Sequence, residues 1–115
     1  YKSIKPAEGR LVRVNKHDTD SWDNRVNDFT IGILKEVEGI AERRKVTCAQ
    51  VALNWLRAKP WVTAPILGAR TFEQYVDNVA CVSWELDAAE MKQLDEASER
   101  PKPYPYKFVD RLQRR

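Results

Sequence analysis

The sequence predicts an α/β protein in which helices dominate and one buried strand lies between them. Apolar residues recur every three or four positions over 21–44, which is typical of a helix with one buried face. A nearly all-apolar run follows at 61–67, between two helical segments, as in a buried parallel strand. Such a strand needs hydrogen-bonding partners on both edges, and only 11–14 offers one. We therefore predict that these residues are part of a larger α/β sheet.

Composition favours one globular, soluble unit. The 115 residues have the length of a single domain, and 43% are hydrophobic, enough to build a core. No apolar run approaches the roughly 20 residues of a membrane span, and no secretory signal segment is visible, so we expect a cytoplasmic protein. Cys48 and Cys81 form no CxxC pair and are expected to be free thiols. A net charge of +3 permits a phosphate-bearing ligand without requiring a nucleic acid.

The first half of the chain is predicted to be a loop followed by helices. Residues 1–18 are polar and basic, and a loop of that length is uncommon in a compact domain unless it has a function. Helices are predicted within 19–61. The first covers 21–44, and the second begins at a capping box on Thr47 and stops before Pro60.

The second half is predicted to be a strand, two more helices and a tail. The strand is placed at 62–67. Capping boxes that begin at Thr71 and Asp87 open two helices within 71–98. Residues 101–115 carry three prolines and are predicted to be extended.

The turn after the predicted strand has the features of an anion site. Gly68 permits close approach of the backbone to a ligand, Arg70 supplies a forked donor, and a capped helix begins at once. Gln74, Asp77 and Asn78 share one face of that helix, where amide and carboxylate groups suit the edge of a purine. An ordinary capped turn with a solvated arginine and a polar outer face fits the same pattern, and both interpretations stay open.

Four stretches of this sequence together resemble the C-terminal third of the aldo-keto reductases, above all the bacterial and potassium-channel β-subunit-like branch. They lie at 50–55, 62–74, 77–78 and 85–90. The resemblance implies the C-terminal part of a single (β/α)8 TIM barrel, mostly helical, with 62–67 as its eighth and one clear strand.

The resemblance also implies an activity and a cofactor site. Members of this kind reduce aldehydes and ketones to alcohols with NADPH, which becomes NADP+. By resemblance, Gly68 and Arg70 meet the adenosine 2′-phosphate, and Gln74 supports that contact. Asp77 and Asn78 would hold the adenine. An arginine at position 70 favours NADPH over NADH.

Further expectations concern the loop after the seventh strand, placed at 1–18. Arg10 in this loop is expected to reach over the cofactor, whereas His17 is expected to be a solvated loop residue. The catalytic aspartate, tyrosine, lysine and histidine of the family have no counterpart here, so no catalytic residue and no metal ligand is assigned. The expected partners are the N-terminal part of the same barrel, a small carbonyl substrate and a possible second copy of the chain.

Two alternatives are weighed beside the reductase. A truncated, non-catalytic helical binding module would also lack catalytic residues. A nucleic-acid module is disfavoured, because the sequence has no glycine turn between adjacent helices and no basic stripe on the second one. Four aromatic residues could either line the rim of the substrate pocket or simply pack against the fold. They are Trp22, Tyr104, Tyr106 and Phe108.

Overall fold

The computed structural model describes residues 26–100, and this part of the chain is helical. The first helix packs against the second and the fourth, and the second packs against the third and against a short 3-10 helix. No helix within 26–100 has the length and apolarity to cross a membrane. The helices are α1 (Asp28–Arg44), α2 (Cys48–Arg57), α3 (Phe72–Val79), the 3-10 helix (Ala80–Ser83) and α4 (Ala88–Ser98).

Two helices begin at complete capping boxes. At α1, the Asn27 side chain accepts a hydrogen bond from the backbone N–H of Thr30 at 3.0 Å, and the Thr30 hydroxyl oxygen accepts one from the backbone N–H of Asn27 at 2.9 Å. At α4, Asp87 and Glu90 exchange the same pair of bonds at 2.9 and 3.0 Å, so the predicted box is confirmed. Each box satisfies two backbone donors that a helix start leaves free. Residues 26 and 27 are not helical, so the helix predicted over 21–44 begins at Asp28 in the structure and ends at Arg44 as predicted.

The other two predicted boxes are half formed. Thr47 and Thr71 accept hydrogen bonds from the backbone N–H groups of Gln50 and Gln74, at 3.3 and 3.2 Å. The two glutamine side chains bond to other groups instead of completing the boxes. The threonines thus fix where α2 and α3 begin, and the glutamines connect these helices to other segments.

The core lies between α1, α2 and α4. Ile40 and Ala41 of α1 meet Val51 of α2 and Leu94 of α4, and all four side chains are buried. Burial of each large aliphatic side chain contributes roughly 1.5–3 kcal/mol relative to exposure. Both cysteines are free, as expected from the sequence. Partly buried side chains surround this core, and they are Val37, Val46, Cys48, Trp55, Trp84 and Leu86.

An ion pair joins the end of α1 to the start of α4. The Nε and one terminal nitrogen of Arg44 donate to the two carboxylate oxygens of Glu90, at 2.9 and 2.7 Å. Asp87 accepts a further bond from Arg44 at 3.3 Å. The hydrogen bond from Arg44 holds the pKa of Glu90 below its ordinary value, and the backbone N–H of Glu90 does the same for the pKa of Asp87.

The α/β prediction is wrong for the described residues. Residues 62–67 form no strand and connect α2 to α3 as an irregular segment, and no barrel is formed within 26–100. A strand exists only where a neighbouring strand completes its hydrogen bonds, and the described residues contain none. The apolar run indicated a segment suited to burial, yet Trp61 is 76% exposed and Ile66 is fully exposed.

Several predictions fall on residues outside 26–100. The loop at 1–18 and the tail at 101–115 belong to this group. The residues concerned are Arg10, His17, Trp22, Tyr104, Tyr106 and Phe108.

Candidate functional site

The turn before α3 is held to that helix by the Gln74 side chain, and the Asn78 amide lies beside it. The Gln74 oxygen accepts a hydrogen bond from the backbone N–H of Arg70 at 2.9 Å. One helical turn later, the Asn78 amide makes a long 3.5 Å contact with the carbonyl oxygen of Gly68. Four of the five predicted site residues within 26–100 are thus brought together around this turn.

Gly68 leaves space beside the turn. A Cβ atom built at this position has no described protein atom within 4 Å, and the backbone is not in the left-handed region. The fold itself therefore does not require a glycine here. Space beside an exposed backbone suits the close approach of a ligand.

The Arg70 side chain is available for a ligand. It is exposed and forms no ion pair with any residue of 26–100. A guanidinium presents a rigid fork of donors that matches the oxygens of a phosphate. It precedes the start of α3, where the helix dipole also favours negative charge.

Glu73 places a negative charge at the same helix start. The nearby donors of its own backbone N–H and of the Thr71 hydroxyl favour the ionised carboxylate and lower the pKa of Glu73. The carboxylate therefore remains ionised at neutral pH. Its negative charge opposes the binding of an anion at this helix start.

Asp77 is turned towards α2. One carboxylate oxygen accepts a hydrogen bond from the Thr47 hydroxyl and the other accepts one from the Gln50 amide, each at 2.7 Å. The role in adenine binding assigned to Asp77 by resemblance stays a prediction. In the structure both oxygens of this carboxylate serve contacts between helices.

Gln50 and Asn54 form a polar network on the inner face of α2. Gln50 is buried, and its oxygen accepts a hydrogen bond from the Trp84 indole N–H at 3.1 Å. The Asn54 amide donates to the carbonyls of Cys81 and Trp84, at 3.1 and 2.7 Å. No role for this network was predicted from the sequence. The available signal was a pair of amides one helical turn apart, beside the buried Val51.

Metal ligands are not grouped in the described part of the chain. Among residues 26–100, no three histidine, cysteine, aspartate or glutamate side chains lie close enough to hold a metal ion. The candidate site consists of the groups around the turn at 68–71.

Comparison with known proteins identifies the family. The model of the aldo/keto reductase family matches residues 6–99. The chain belongs to the aldo/keto reductase family. This result confirms the resemblance found in the sequence, and the family comprises oxidoreductases that generally use nicotinamide cofactors.

Three relatives show how much of a family member this chain covers. An aldo-keto reductase of Fusarium vanettenii is 39% identical over 82% of this chain and 23% of its own length. The chloroplastic pyridoxal reductase of Arabidopsis thaliana is 37% identical over 61% of this chain and 19% of its own. A putative voltage-gated potassium channel subunit beta of Schizosaccharomyces pombe is 37% identical over 55% of this chain and 19% of its own length. The chain thus spans about a fifth of the length of the curated relatives it matches.

Proposed function

We propose that the protein reduces aldehydes and ketones to alcohols with NADPH, and that residues 68–78 bind the adenosine 2′-phosphate end of this cofactor. The observation that carries the proposal is the exposed Arg70, unpaired within 26–100, at the entrance to α3. Membership of the aldo/keto reductase family supports it. The 2′-phosphate is the group that distinguishes NADPH from NADH, so an arginine here selects between the two.

Each residue of the turn has a separate role in this proposal. Arg70 donates to the phosphate oxygens, and Gly68 leaves space for the ribose phosphate. Gln74 holds the backbone N–H of Arg70 and so fixes the direction of the turn. Asn78 presents its amide to the edge of the adenine. Arg10 is proposed to reach over the same cofactor.

The chemistry requires groups from outside this chain. When bound, the nicotinamide supplies a hydride to the carbonyl carbon of the substrate. No residue of the chain is assigned a catalytic role, and we propose that the rest of a longer reductase chain supplies those residues. The coverage of only about a fifth of its relatives supports this part of the proposal. The small carbonyl substrate, a cytoplasmic location and a homo-oligomeric assembly stay predictions.

Replacement of Arg70 tests the proposal. Arg70→Ala in the full-length protein is expected to weaken NADPH binding by about 1.5–3 kcal/mol, the contribution of a hydrogen bond to a charged group. Binding of NADH, which has no 2′-phosphate, should barely change. Fluorescence titration of both cofactors measures the two affinities.

Arg70→Lys is the matched control, because it keeps the charge and removes the fork. It should bind NADPH with an affinity between those of the wild type and Arg70→Ala. Equal losses of NADPH and NADH affinity in Arg70→Ala would refute the 2′-phosphate assignment.

A further inference from the structure

The Asp77 carboxylate can accept more hydrogen bonds than residues 26–100 supply to it. Each of its two oxygens accepts one bond, from the Thr47 hydroxyl and from the Gln50 amide, both at 2.7 Å. A carboxylate has about four lone-pair positions, so roughly half of them stay free. The side chain is half-buried, which leaves part of it accessible. A ligand with an N–H donor can therefore bind Asp77 while both contacts with α2 are kept.

Both groups that hold Asp77 are neutral. No lysine or arginine side chain of the described residues forms an ion pair with this carboxylate. Its negative charge is therefore not neutralised within that part of the chain, and a charged acceptor forms stronger hydrogen bonds than a neutral one. The two neutral donors fix the direction of the carboxylate and leave its charge for a ligand amine.

The Gln50 amide has only one favourable orientation. This side chain is buried, and its oxygen accepts a hydrogen bond from the Trp84 indole N–H at 3.1 Å. An indole can only donate and a carboxylate can only accept, so the amide oxygen must face Trp84 and the amide nitrogen must face Asp77. Rotation of the amide by half a turn would break both bonds. Asp77 is thus held by a donor whose own direction is fixed.

Asp77 and its neighbour Asn78 together match the edge of an adenine. That edge presents an amino donor beside a ring-nitrogen acceptor. The ionised Asp77 offers acceptors only, whereas the Asn78 amide also offers donors. Guanine and hypoxanthine carry an oxygen in place of the 6-amino group, and a carboxylate repels that oxygen. The pair therefore suits adenine among the purines.

We propose that Gln50 is a positioning residue, which holds Asp77 so that a free lone pair of its carboxylate accepts a hydrogen bond from the 6-amino group of the cofactor adenine. Thr47 supports the same carboxylate, and Trp84 keeps the Gln50 amide in the required orientation. Gln50 acts through Asp77 and does not touch the cofactor. This inference rests on the proposed NADPH site, and it extends that site from α3 to α2.

The first test compares NADPH with an analogue in which unsubstituted purine replaces adenine, so that only the 6-amino group is missing. The analogue should bind the full-length wild type roughly tenfold more weakly, the effect of one hydrogen bond to a charged group. Gln50→Met removes the donor to Asp77 and keeps a side chain of similar length. It should weaken NADPH binding about three- to fivefold and barely change binding of the analogue. The ratio of the two dissociation constants should therefore fall to about two or three.

Gln93→Met is the matched control for this substitution. The Gln93 amide also joins two helices, because it bonds from α4 to Glu36 and Arg43 of α1. It lies outside the proposed site, so this variant should keep the wild-type ratio. A glutamine that only stabilises the fold changes the affinities for NADPH and for the purine analogue alike, and the ratio detects that difference in role.

Trp84→Phe is a second variant, which leaves Gln50 and Asp77 in place. It removes the indole N–H and so allows the Gln50 amide to rotate. The ratio between the purine analogue and NADPH should fall about twofold, less than in Gln50→Met. If Gln50→Met fails to fold, Trp84→Phe provides the test, and an unchanged ratio in it overturns the inference.

The outcomes separate this inference from the proposed function. A wild-type protein that does not bind NADPH contradicts the proposed function, and this inference with it. If the wild type binds NADPH, two results overturn the positioning role alone. The first is equal affinity of the wild type for NADPH and the purine analogue, which means that Asp77 does not bind the 6-amino group. The second is a wild-type ratio in Gln50→Met, whatever its melting temperature, which indicates a purely structural contact.

Discussion

Glu73 and Arg70 place opposite charges at the same helix start. The pKa of Glu73 is lowered by its own backbone N–H and by the Thr71 hydroxyl, so its carboxylate is ionised and repels an incoming phosphate. A carboxylate at the edge of an anion-binding site lowers the affinity of that site for the anion. The proposed site therefore gains affinity when that charge is removed.

Glu73→Gln should raise the affinity for NADPH about two- to fivefold, the size of one exposed charge near a helix terminus. The affinity for NADH should change less, since it lacks the 2′-phosphate. Titration of both cofactors with the full-length variant measures the effect. Weaker NADPH binding in this variant would show that Glu73 supports the site.

Single residues of the site differed in how well the sequence predicted them. The spacing of Gly68, Arg70 and Gln74 predicted a capped turn, and the structure has one, because these contacts are local. The partners of Asp77 lie 27 and 30 positions away in sequence, so no local pattern indicated them. Contacts of that kind follow from how α2 and α3 pack.

At the scale of elements, one buried amide connects α2 to the segment after α3. Asn54 is 2% exposed and donates to the carbonyls of Cys81 and Trp84. Asn54→Asp keeps the shape of the side chain and removes both donors. The Trp84 carbonyl then loses its partner, and the Cys81 carbonyl keeps only the hydrogen bond from Arg57. A buried carboxylate faces both carbonyls, although Arg57, which donates to the Asn54 oxygen, offsets part of that cost. This change should lower the free energy of unfolding by about 1–3 kcal/mol.

Urea denaturation of the full-length protein checks this expectation. Asn78→Asp is a control with the same substitution, since Asn78 makes only a long 3.5 Å contact in the structure. It should leave the free energy of unfolding nearly unchanged. Equal effects of the two substitutions would contradict the structural role of Asn54.

The contact between α1 and α4 predicts a dependence of stability on pH. Arg44 holds the pKa of Glu90 below its ordinary value, and the pKa of Asp87 is also lowered. As the pH falls, the unfolded state therefore takes up protons before the folded state does. The stabilisation is complete above the ordinary carboxyl pKa of about 4 and is lost as the pH falls through that value to the lowered one.

Melting temperatures measured between pH 7 and pH 3 should show this loss. Glu90→Gln should melt at a lower temperature at pH 7, and its melting temperature should fall less between pH 5 and pH 3. A slope identical to that of the wild type would show that this ion pair contributes nothing to acid sensitivity.

The helices were predictable and the strand was not. Capping residues and helical periodicity are local signals, and they located the described starts of α2, α3 and α4. The segment 62–67 has the composition of a buried strand, but composition indicates only a preference for burial. Strand formation also requires a neighbour for hydrogen bonding, and the described residues provide none.

At the scale of the whole molecule, the described part exposes many large apolar side chains. Most of them lie on 61–67 and on α3, together with Val82. Monomeric soluble proteins rarely expose contiguous apolar patches of more than a few hundred Å². Such exposure supports the proposal that a longer reductase chain covers these side chains. The largest exposed side chains are Trp61, Ile66, Phe72, Tyr75, Val76 and Val82.

The central claim is that the turn before α3 binds the 2′-phosphate of NADPH. A crystal structure of the full-length protein with NADP+ tests it most directly. We expect the phosphate within about 3 Å of the Arg70 guanidinium, the distance of a charge-assisted hydrogen bond, beside the open face of Gly68. A 2′-phosphate bound elsewhere, with Arg70 free in solvent, would contradict it.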